Sequence, residues 1–293
     1  MVGPNRALAA DQVARVTIIY DAFGRKANLT KDWGYAALVE IGGHRILFDT
    51  GKDRFVFQHN VDTLEIDLTD VDFAVVSHRH TDHVSGISHL IAVNPGVKIY
   101  APKESFGIFG SSLPSTFYRK MGSLPVEQRY YGGTPPAEVI FGSLWPKANI
   151  TAIDRTMEVA PGVHLIALGT EQGGPHDLHE ISLAMQTEEG IVLIVGCSHP
   201  GIARILDVAS KLDERILMIV GGLHFAAASD SEIVDMIILL KEKYRVKGIA
   251  PGHCTGEPTF AALSEAFGKN RLYAGLGEII QLRSATSNLR TEG

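Results

Sequence analysis

Residues 77–83 read Ser-His-Arg-His-Thr-Asp-His, and they follow directly on a short apolar run that predicts a buried strand. At the two-residue period of a strand, His78 and His80 point to the same side, whereas Asp82 and His83 fall on the turn that follows. Imidazole nitrogens and a carboxylate oxygen are good ligands for zinc and iron. The stretch therefore predicts two neighbouring metal positions at the end of a strand.

Other candidate ligands stand at the ends of other predicted strands. Cys197 and His199 follow an apolar run, His253 follows a shorter one, and His176 and His179 precede a third. Thiolate sulfur and neutral imidazole are both good metal ligands. Because the loops at strand ends carry the chemistry in layered α/β folds, we expect these side chains to join the histidine cluster.

Length and composition exclude several classes of protein. The chain has 293 residues, of which 45% are hydrophobic and 20% charged, and this is the composition of a globular protein with one large or two modest domains. Its net charge of −6 argues against binding to nucleic acid through phosphate contacts. No apolar run reaches the roughly 18 residues that a membrane span requires. We therefore expect a small-molecule substrate and no nucleic-acid or membrane partner. We expect the protein to be cytoplasmic; the alternative is that it is exported and that its export signal has been removed.

Strands dominate each half of the chain and each half closes with helices, which predicts a single layered α/β domain over residues 13–283. The predicted strands lie at residues 13–20, 36–41, 45–48, 72–77, 97–101, 156–159, 163–168, 181–187, 191–195, 216–220, 248–251 and 272–274, and the predicted helices at 84–94, 202–212, 229–244 and 259–267. Residues 1–12 and 284–293 are predicted tails. Residues 103–150 are rich in glycine, proline, serine and aromatics, and we predict an inserted loop or lid there, with ordinary surface packing as the alternative.

The pattern His-x-His-x-Asp-His at residues 78–83 resembles the signature of the metallo-β-lactamase superfamily. The turn Ile-Leu-Phe-Asp-Thr-Gly at residues 46–51 resembles that family's early strand and turn, and the likeness extends over about residues 16–282. Three further motifs are similar to the branch of 7,8-dihydropterin-6-methyl-4-(β-D-ribofuranosyl)-aminobenzene-5′-phosphate synthase-like proteins; they lie at residues 196–202, 221–224 and 252–256. The resemblance implies a four-layer αββα sandwich with a dinuclear metal centre at one edge.

The same resemblance implies a set of metal ligands. His78 and His80 would bind the first metal, Asp82 and His83 the second, and His253 would be the last ligand of the second metal. The implied cofactors are two divalent metal ions, with Zn²⁺ favoured and Fe or Mn as alternatives. A carboxylate or imidazole set of this kind suits each of these ions.

Three positions depart from the family pattern or leave a choice. Cys197 stands where most members of the superfamily carry a bridging aspartate, so either Cys197 binds a metal there or His199 takes over. Either His176 or His179 completes the first metal site, and we favour His179. Asp49 is expected to orient a ligand histidine through a hydrogen bond.

Three hypotheses about function follow from this site. The first is a hydrolase in which the metals make hydroxide available at neutral pH, Asp82 helps to hold it, and His199 and His224 offset the charge that develops on an ester, lactone, amide or phosphoester. The second is a phosphoribosyl-transferring synthase of pterin-type cofactor biosynthesis, as the branch name implies. The third is a metal-stabilised binding or regulatory protein without turnover.

Overall fold

The computed structural model describes residues 14–103, 111–112, 119–135, 137, 140–141, 145, 147–170, 177–282 and 290–292. Within these residues, short runs rich in β-branched side chains pair into two large sheets. The first sheet has eight strands: β1 (Ala14–Tyr20), β2 (Ala36–Ile41), β3 (His44–Phe48), β4 (Phe73–Val75), β5 (Lys98–Pro102), β8 (Asn149–Ile153), β15 (Ile279–Leu282) and β16 (Arg290–Glu292). The second sheet has six: β9 (Met157–Ala160), β10 (Val163–Gly169), β11 (His179–Thr187), β12 (Gly190–Val195), β13 (Ile216–Gly222) and β14 (Gly248–Gly252). The short strands β6 (Ser111–Ser112) and β7 (Ile140–Phe141) pair with each other.

Helices cover the outer face of each sheet. They are α1 (Arg54–Thr63), α2 (Thr81–Val84), α3 (Ile87–Val93), α4 (Ile202–Leu212), α5 (Asp230–Ile238), which continues as a π-helical turn (Leu239–Lys243), and α6 (Glu257–Phe267). Short 3-10 turns lie at Leu68–Asp70, Val126–Gln128, Tyr130–Gly133, His253–Thr255 and Gly268–Asn270. Among the described helices, none is long and apolar enough to cross a membrane.

Alternation along the strands divides the apolar residues into separate layers. Val16 and Ile18 of β1 lie in the core between the two sheets, whereas Ile19 packs in the cluster under α1 and α3. On the outer face of the second sheet, buried residues of α4 such as Ile205 and Leu206 pack in a third cluster. The predicted four-layer αββα sandwich is confirmed.

The site is positioned by parallel strands whose carboxyl ends meet at one edge. Strands β3, β4 and β5 are parallel neighbours in the first sheet, and β12, β13 and β14 are parallel neighbours in the second. The segments that follow β3, β4, β12, β13 and β14 all contribute to the site described below. The hairpin between β2 and β3 turns at Gly42 and Gly43, whose φ of 59° and 80° suit glycine in a two-residue turn.

Some elements differ from the sequence-based prediction. The predicted strand at 272–274 is wrong, since only an isolated bridge between Ile249 and Arg271 forms there. The last strands are β15 and β16, and β16 lies within the predicted tail at 284–293. The predicted helix at 84–94 is divided into α2 and α3.

Helix α1 and strand β8 were missed by the sequence-based prediction. Helix α1 has few buried side chains, and its start is fixed by Asp53, whose carboxylate accepts hydrogen bonds from the N–H groups of Phe55 and Val56. Strand β8 closes the predicted lid segment and pairs in parallel with β5. Near the end of that segment, buried Trp145 donates its indole N–H to Ser88 Oγ on α3 at 3.1 Å.

Candidate metal centre

Three histidines from two strand ends face one another, and we call His78, His80 and His199 the first triad. His78 Nε2 lies 3.1 Å from His80 Nδ1. The ring of His199 is 4.7 Å from that of His78 and 4.8 Å from that of His80. His199 Nε2 is buried and has no hydrogen-bond partner among the described residues. Ligand atoms of all three lie within 4.8 Å of one another, which suits a single metal ion.

Asp82, His83 and His253 form a second triad beside the first. The Nε2 atoms of His83 and His253 are 3.2 Å apart. Asp82 Oδ2 lies 3.7 Å from His83 Nε2 and 3.5 Å from His253 Nε2. Both imidazoles are fully buried, and the carboxylate keeps some exposure. A carboxylate and two imidazoles in this arrangement can hold a second ion.

Cys197 lies between the two triads. Its sulfur is 3.4 Å from His83 Nε2, and it groups within 4.8 Å with His83 of the second triad and His78 of the first. His199, by contrast, groups with His78 and His80 alone. Cys197 could therefore supply a thiolate ligand between the triads, and His199 could complete a metal-binding group with His78 and His80.

A buried carboxylate orients the histidines, as the sequence predicted for Asp49. Its oxygens accept hydrogen bonds from Ser77 N at 2.7 Å, from Ser77 Oγ at 2.7 Å and from His83 Nδ1 at 2.7 Å. Because the Ser77 hydroxyl gives its only hydrogen to Asp49, it accepts from His78 Nδ1, which lies 2.9 Å away. Both imidazoles thus carry a proton on Nδ1 and turn Nε2 into the site.

Burial keeps most of these imidazoles neutral. Burial, reinforced by the neighbouring histidines, holds the pKa of His78 well below its usual range and lowers the pKa of His199 to about 3 and that of His253 to about 2. For His83, burial lowers the pKa but the Asp49 carboxylate outweighs it, so the net pKa is raised. Neutral imidazole is the form that binds metal, so His78, His199 and His253 are ready to accept cations at neutral pH, whereas a cation at His83 would compete with a proton.

His179 does not join either triad. Its Nδ1 donates to the carbonyl of Lys103 at 2.8 Å, and its Nε2 lies 3.1 Å from Asp177 Oδ2. It begins strand β11, where successive side chains point to opposite faces, so Glu180 rather than His179 faces the site. His176, the alternative, lies outside the described residues.

Glu180 is a site residue that the sequence reasoning missed. It is fully buried, and its Oε1 accepts hydrogen bonds from the N–H groups of Cys197 and Ser198 at 2.9 and 2.8 Å, while Oε2 accepts from His199 N–H at 2.7 Å. One carboxylate therefore fixes the backbone that presents Cys197 and His199. The only signal in the sequence was its place beside the suspected ligand at 179.

Substitution Glu180→Gln should weaken both the fold and the metal site. An amide offers one acceptor oxygen instead of two, so a buried N–H loses its partner, and we expect the free energy of unfolding to fall by about 1–3 kcal/mol. Metal affinity should fall about 10-fold or more because the ligand backbone loosens. Urea unfolding and a zinc competition titration measure these effects. The exposed glutamate Glu188, changed to glutamine, is the matched control, and equal behaviour of the two variants would contradict the assigned role.

His224 and Cys254 flank the triads on one side. The His224 ring is 4.2 Å from that of His199. Hydrogen bonding to Cys197, with a further contribution from His224, lowers the pKa of Cys254 to about 6, and contact with Cys254 raises the pKa of His224. His224 was predicted to offset the charge that develops on the substrate, whereas Cys254, although it stands beside a predicted ligand, was not predicted to be a ligand itself.

A cavity of about 670 Å³ opens beside the triads. His224 and Cys254 line it on one side, and the exposed ring of Trp33, which is 5.1 Å from the His253 ring, lines it on another. Most of the remaining lining is apolar: Ile202, Ala203, Phe225, Ala226, Ala227, Ala228, Met236 and Leu239. A small organic molecule in this cavity can therefore contact His224 and Cys254, which lie next to the triads.

Comparison with known proteins agrees with the fold. Residues 44–129 match the beta-lactamase superfamily domain. The 7,8-dihydropterin-6-methyl-4-(beta-D-ribofuranosyl)-aminobenzene-5′-phosphate synthase of Methanocaldococcus jannaschii is 27% identical over 287 residues, which cover 90% of this chain and 96% of that protein.

Two solved structures extend the comparison. Tm1679, a metal-dependent hydrolase of the beta-lactamase superfamily, is 25% identical with a TM-score of 0.66 over 92% of this chain and 98% of that one. The metallo-beta-lactamase fold protein YhfI of Bacillus subtilis, at 14% identity, shares the fold with a TM-score of 0.58 over 92% of this chain and 100% of its own. The chain thus matches the beta-lactamase superfamily domain over residues 44–129, and over 90% of its length it is similar to the synthase of Methanocaldococcus jannaschii.

Proposed function

We propose that the protein is a metal-dependent hydrolase that uses two metal ions to cleave an ester, lactone, amide or phosphoester bond with water. The observation that carries this proposal is the pair of adjacent triads with Cys197 between them. The first triad would hold one ion, the second triad the other, and the thiolate of Cys197 would contact both.

The residues present fit such ions. Buried imidazole nitrogens face each other at 3.1 Å in the first triad and 3.2 Å in the second, and His199 Nε2 has no partner among the described residues. Burying polar atoms without partners costs free energy, and a cation between them would remove that cost. The adjacent carboxylate and thiol would offset part of the added positive charge.

Each residue near the ions has a separate task in this proposal. When bound, such ions lower the pKa of water towards neutrality and polarise the oxygen of the scissile group. Asp82, the partly exposed carboxylate of the second triad, holds the attacking water and takes its proton. His224, on the cavity wall, donates a hydrogen bond to the oxygen on which negative charge develops. Trp33 and the apolar lining position the organic part of the substrate.

The second candidate is a phosphoribosyl-transferring synthase. It is favoured by the similarity to the methanogen synthase, which extends over 90% of this chain and 96% of that relative. Arg119, Lys120 and Arg129 line a separate cavity of about 310 Å³ within the predicted lid, and their charge suits a phosphate. Arg129 already donates to the carbonyls of Gly122 and Leu124, so the two other cations are the better candidates for that contact.

A substrate panel distinguishes the two candidates. Zinc-loaded protein should hydrolyse at least one member of a panel of esters, lactones, amides, phosphomonoesters and phosphodiesters, and a chelator should abolish turnover until zinc is restored. In parallel, the thermal unfolding temperature of the protein is measured with and without the phosphoribosyl donor phosphoribosyl pyrophosphate. Absence of turnover across the panel, together with a clear thermal stabilisation by the phosphoribosyl donor, would overturn the hydrolase proposal in favour of the synthase.

A further inference from the structure

Two thiols and an imidazole meet at the wall of the large cavity, beyond the two triads. Ligand atoms of Cys197, His224 and Cys254 lie within 4.8 Å of one another. Both cysteines are free and buried, while His224 is exposed on the cavity side. We call this group the sulfur cluster. Only Cys197 of its members belongs to the set that holds the two ions of the proposed hydrolase.

The backbone is shaped to bring the two sulfurs together. A Cβ added to Gly222 would lie only 2.8 Å from Cys254 Sγ, so glycine at this position lets the thiol approach across β13. Cys254 Sγ lies 3.8 Å from the carbonyl oxygen of Cys197. The absence of a side chain at 222 therefore leaves room for Cys254 Sγ beside the end of β13, as it does for the carbonyl oxygen of Gly196, to which an added Cβ would lie closer still.

Two members of the site region adopt an uncommon backbone conformation. His253 has a φ of 47° and His224 a φ of 60°, in the left-handed region that non-glycine residues seldom occupy. At 253 this conformation places the imidazole in the second triad while the next residue, Cys254, contacts the sulfur cluster. Strained conformations of this kind persist where the surrounding structure or a ligand maintains them.

We propose that Cys197, His224 and Cys254 bind a third metal ion that prefers thiolate ligands, such as Zn²⁺. Two sulfurs and one imidazole nitrogen are the protein ligands of an open tetrahedral zinc site. Bond lengths of about 2.3 Å to sulfur and about 2.0–2.1 Å to nitrogen bring such ligand atoms within about 4 Å of one another, close to the spacing in the sulfur cluster.

The fourth position of this ion would open into the cavity. His224 and Cys254 both line the cavity of about 670 Å³, so a small molecule there can reach the ion directly. Cys197 would be shared between the third ion and the triads, because a thiolate sulfur has lone pairs for more than one metal. On binding, both thiols would lose their protons, and the ion would compensate the charge of the two thiolates in this buried place.

The test counts metal ions in the whole chain. Protein stripped of metal under reducing conditions is loaded with excess Co²⁺ and desalted, and cobalt per chain is measured by mass spectrometry together with the thiolate-to-cobalt charge-transfer absorption. The wild-type chain should retain three ions. Cys254→Ser and His224→Ala should each retain two, and Cys254→Ser should also lose a large part of the charge-transfer absorption. His164→Ala, a partly buried histidine bonded to Gln186, is the matched control and should retain three.

A further variant distinguishes the loss of the third ion from the loss of an ion in the triads. His80→Ala should lose an ion while it keeps the charge-transfer absorption of Cys254, so a failure of the triads and a failure of the sulfur cluster look different. Circular dichroism confirms that each variant is folded, and His224→Ala changes an exposed side chain, so at least one variant should fold normally. The proposal is overturned if folded Cys254→Ser and His224→Ala both bind as many ions as the wild type, or if the wild type binds no more than two with both thiols free.

Discussion

Replacement of His80 by alanine should reduce hydrolytic turnover by about 100-fold or more and leave the chain with one bound metal ion fewer. A metal that polarises the reacting oxygen contributes several kcal/mol to transition-state stabilisation, and about 2.7 kcal/mol corresponds to a factor of 100 in rate. His80 is exposed and lies at the start of α2, so its removal should change the free energy of unfolding by only about 0.5 kcal/mol. The loss of activity can therefore be separated from a loss of fold.

Metal content by mass spectrometry and initial rates on the best substrate of the panel measure this effect. His59→Ala is the control, because His59 is an exposed histidine on α1 that bonds only to the carbonyl of Asn28 in the contacts described. It should keep the wild-type metal content and rate. Unchanged metal content and turnover in His80→Ala would contradict the role of the first triad.

Substitution Asp49→Asn should lower zinc affinity by about 10- to 100-fold although Asp49 would not contact the metal. The carboxylate accepts hydrogen bonds from Ser77 N, Ser77 Oγ and His83 Nδ1, and an asparagine cannot accept all of them. His83 would then lose the partner that keeps its proton on Nδ1. We expect a cost in the free energy of unfolding of about 1–3 kcal/mol as well, since a buried hydrogen-bonding group is left without a partner.

Competition with a chromophoric chelator measures the zinc affinity, and urea unfolding of the metal-free protein measures the change in stability. Asp67→Asn is the matched control, because Asp67 is an exposed aspartate that caps a short helical turn through Thr69. The Ser77→Ala variant should show a smaller loss of zinc affinity in the same direction, since it removes one hydrogen bond to Asp49 and one to His78. An Asp49→Asn protein with wild-type zinc affinity would show that the carboxylate does not orient the ligands.

The histidine motif and the layered fold were predictable because both depend on local pattern. Period-two alternation and short turns determine the strands, and the order of strands and helices limits the number of layers. The placement of Asp49 beside a ligand histidine was predicted from its position after a strand together with the resemblance of residues 46–51 to the early turn of the superfamily.

Two kinds of feature were not predictable from local pattern: which face of a strand a given residue points to, and which residues from distant segments come into contact. A shift of one residue along β11 decides whether position 179 or 180 faces the site, and the polar residues before the strand do not reveal where it begins. His199 lies beside His78 and His80 because Glu180 holds the loop that follows β12. Glu180 does so by accepting a hydrogen bond from His199 N–H, and local pattern does not reveal this contact. Cys254 was not assigned as a ligand because its contact with Cys197 joins segments 57 residues apart in the chain.

The central claim is that separate strand ends hold two adjacent metal ions, and anomalous X-ray diffraction from crystals of zinc-loaded protein tests it most directly. We expect one zinc peak surrounded by His78, His80 and His199 and a second surrounded by Asp82, His83 and His253, with the two peaks about 3.5–4 Å apart. Zinc peaks only at surface positions, with none between the imidazoles of either triad, would contradict the account.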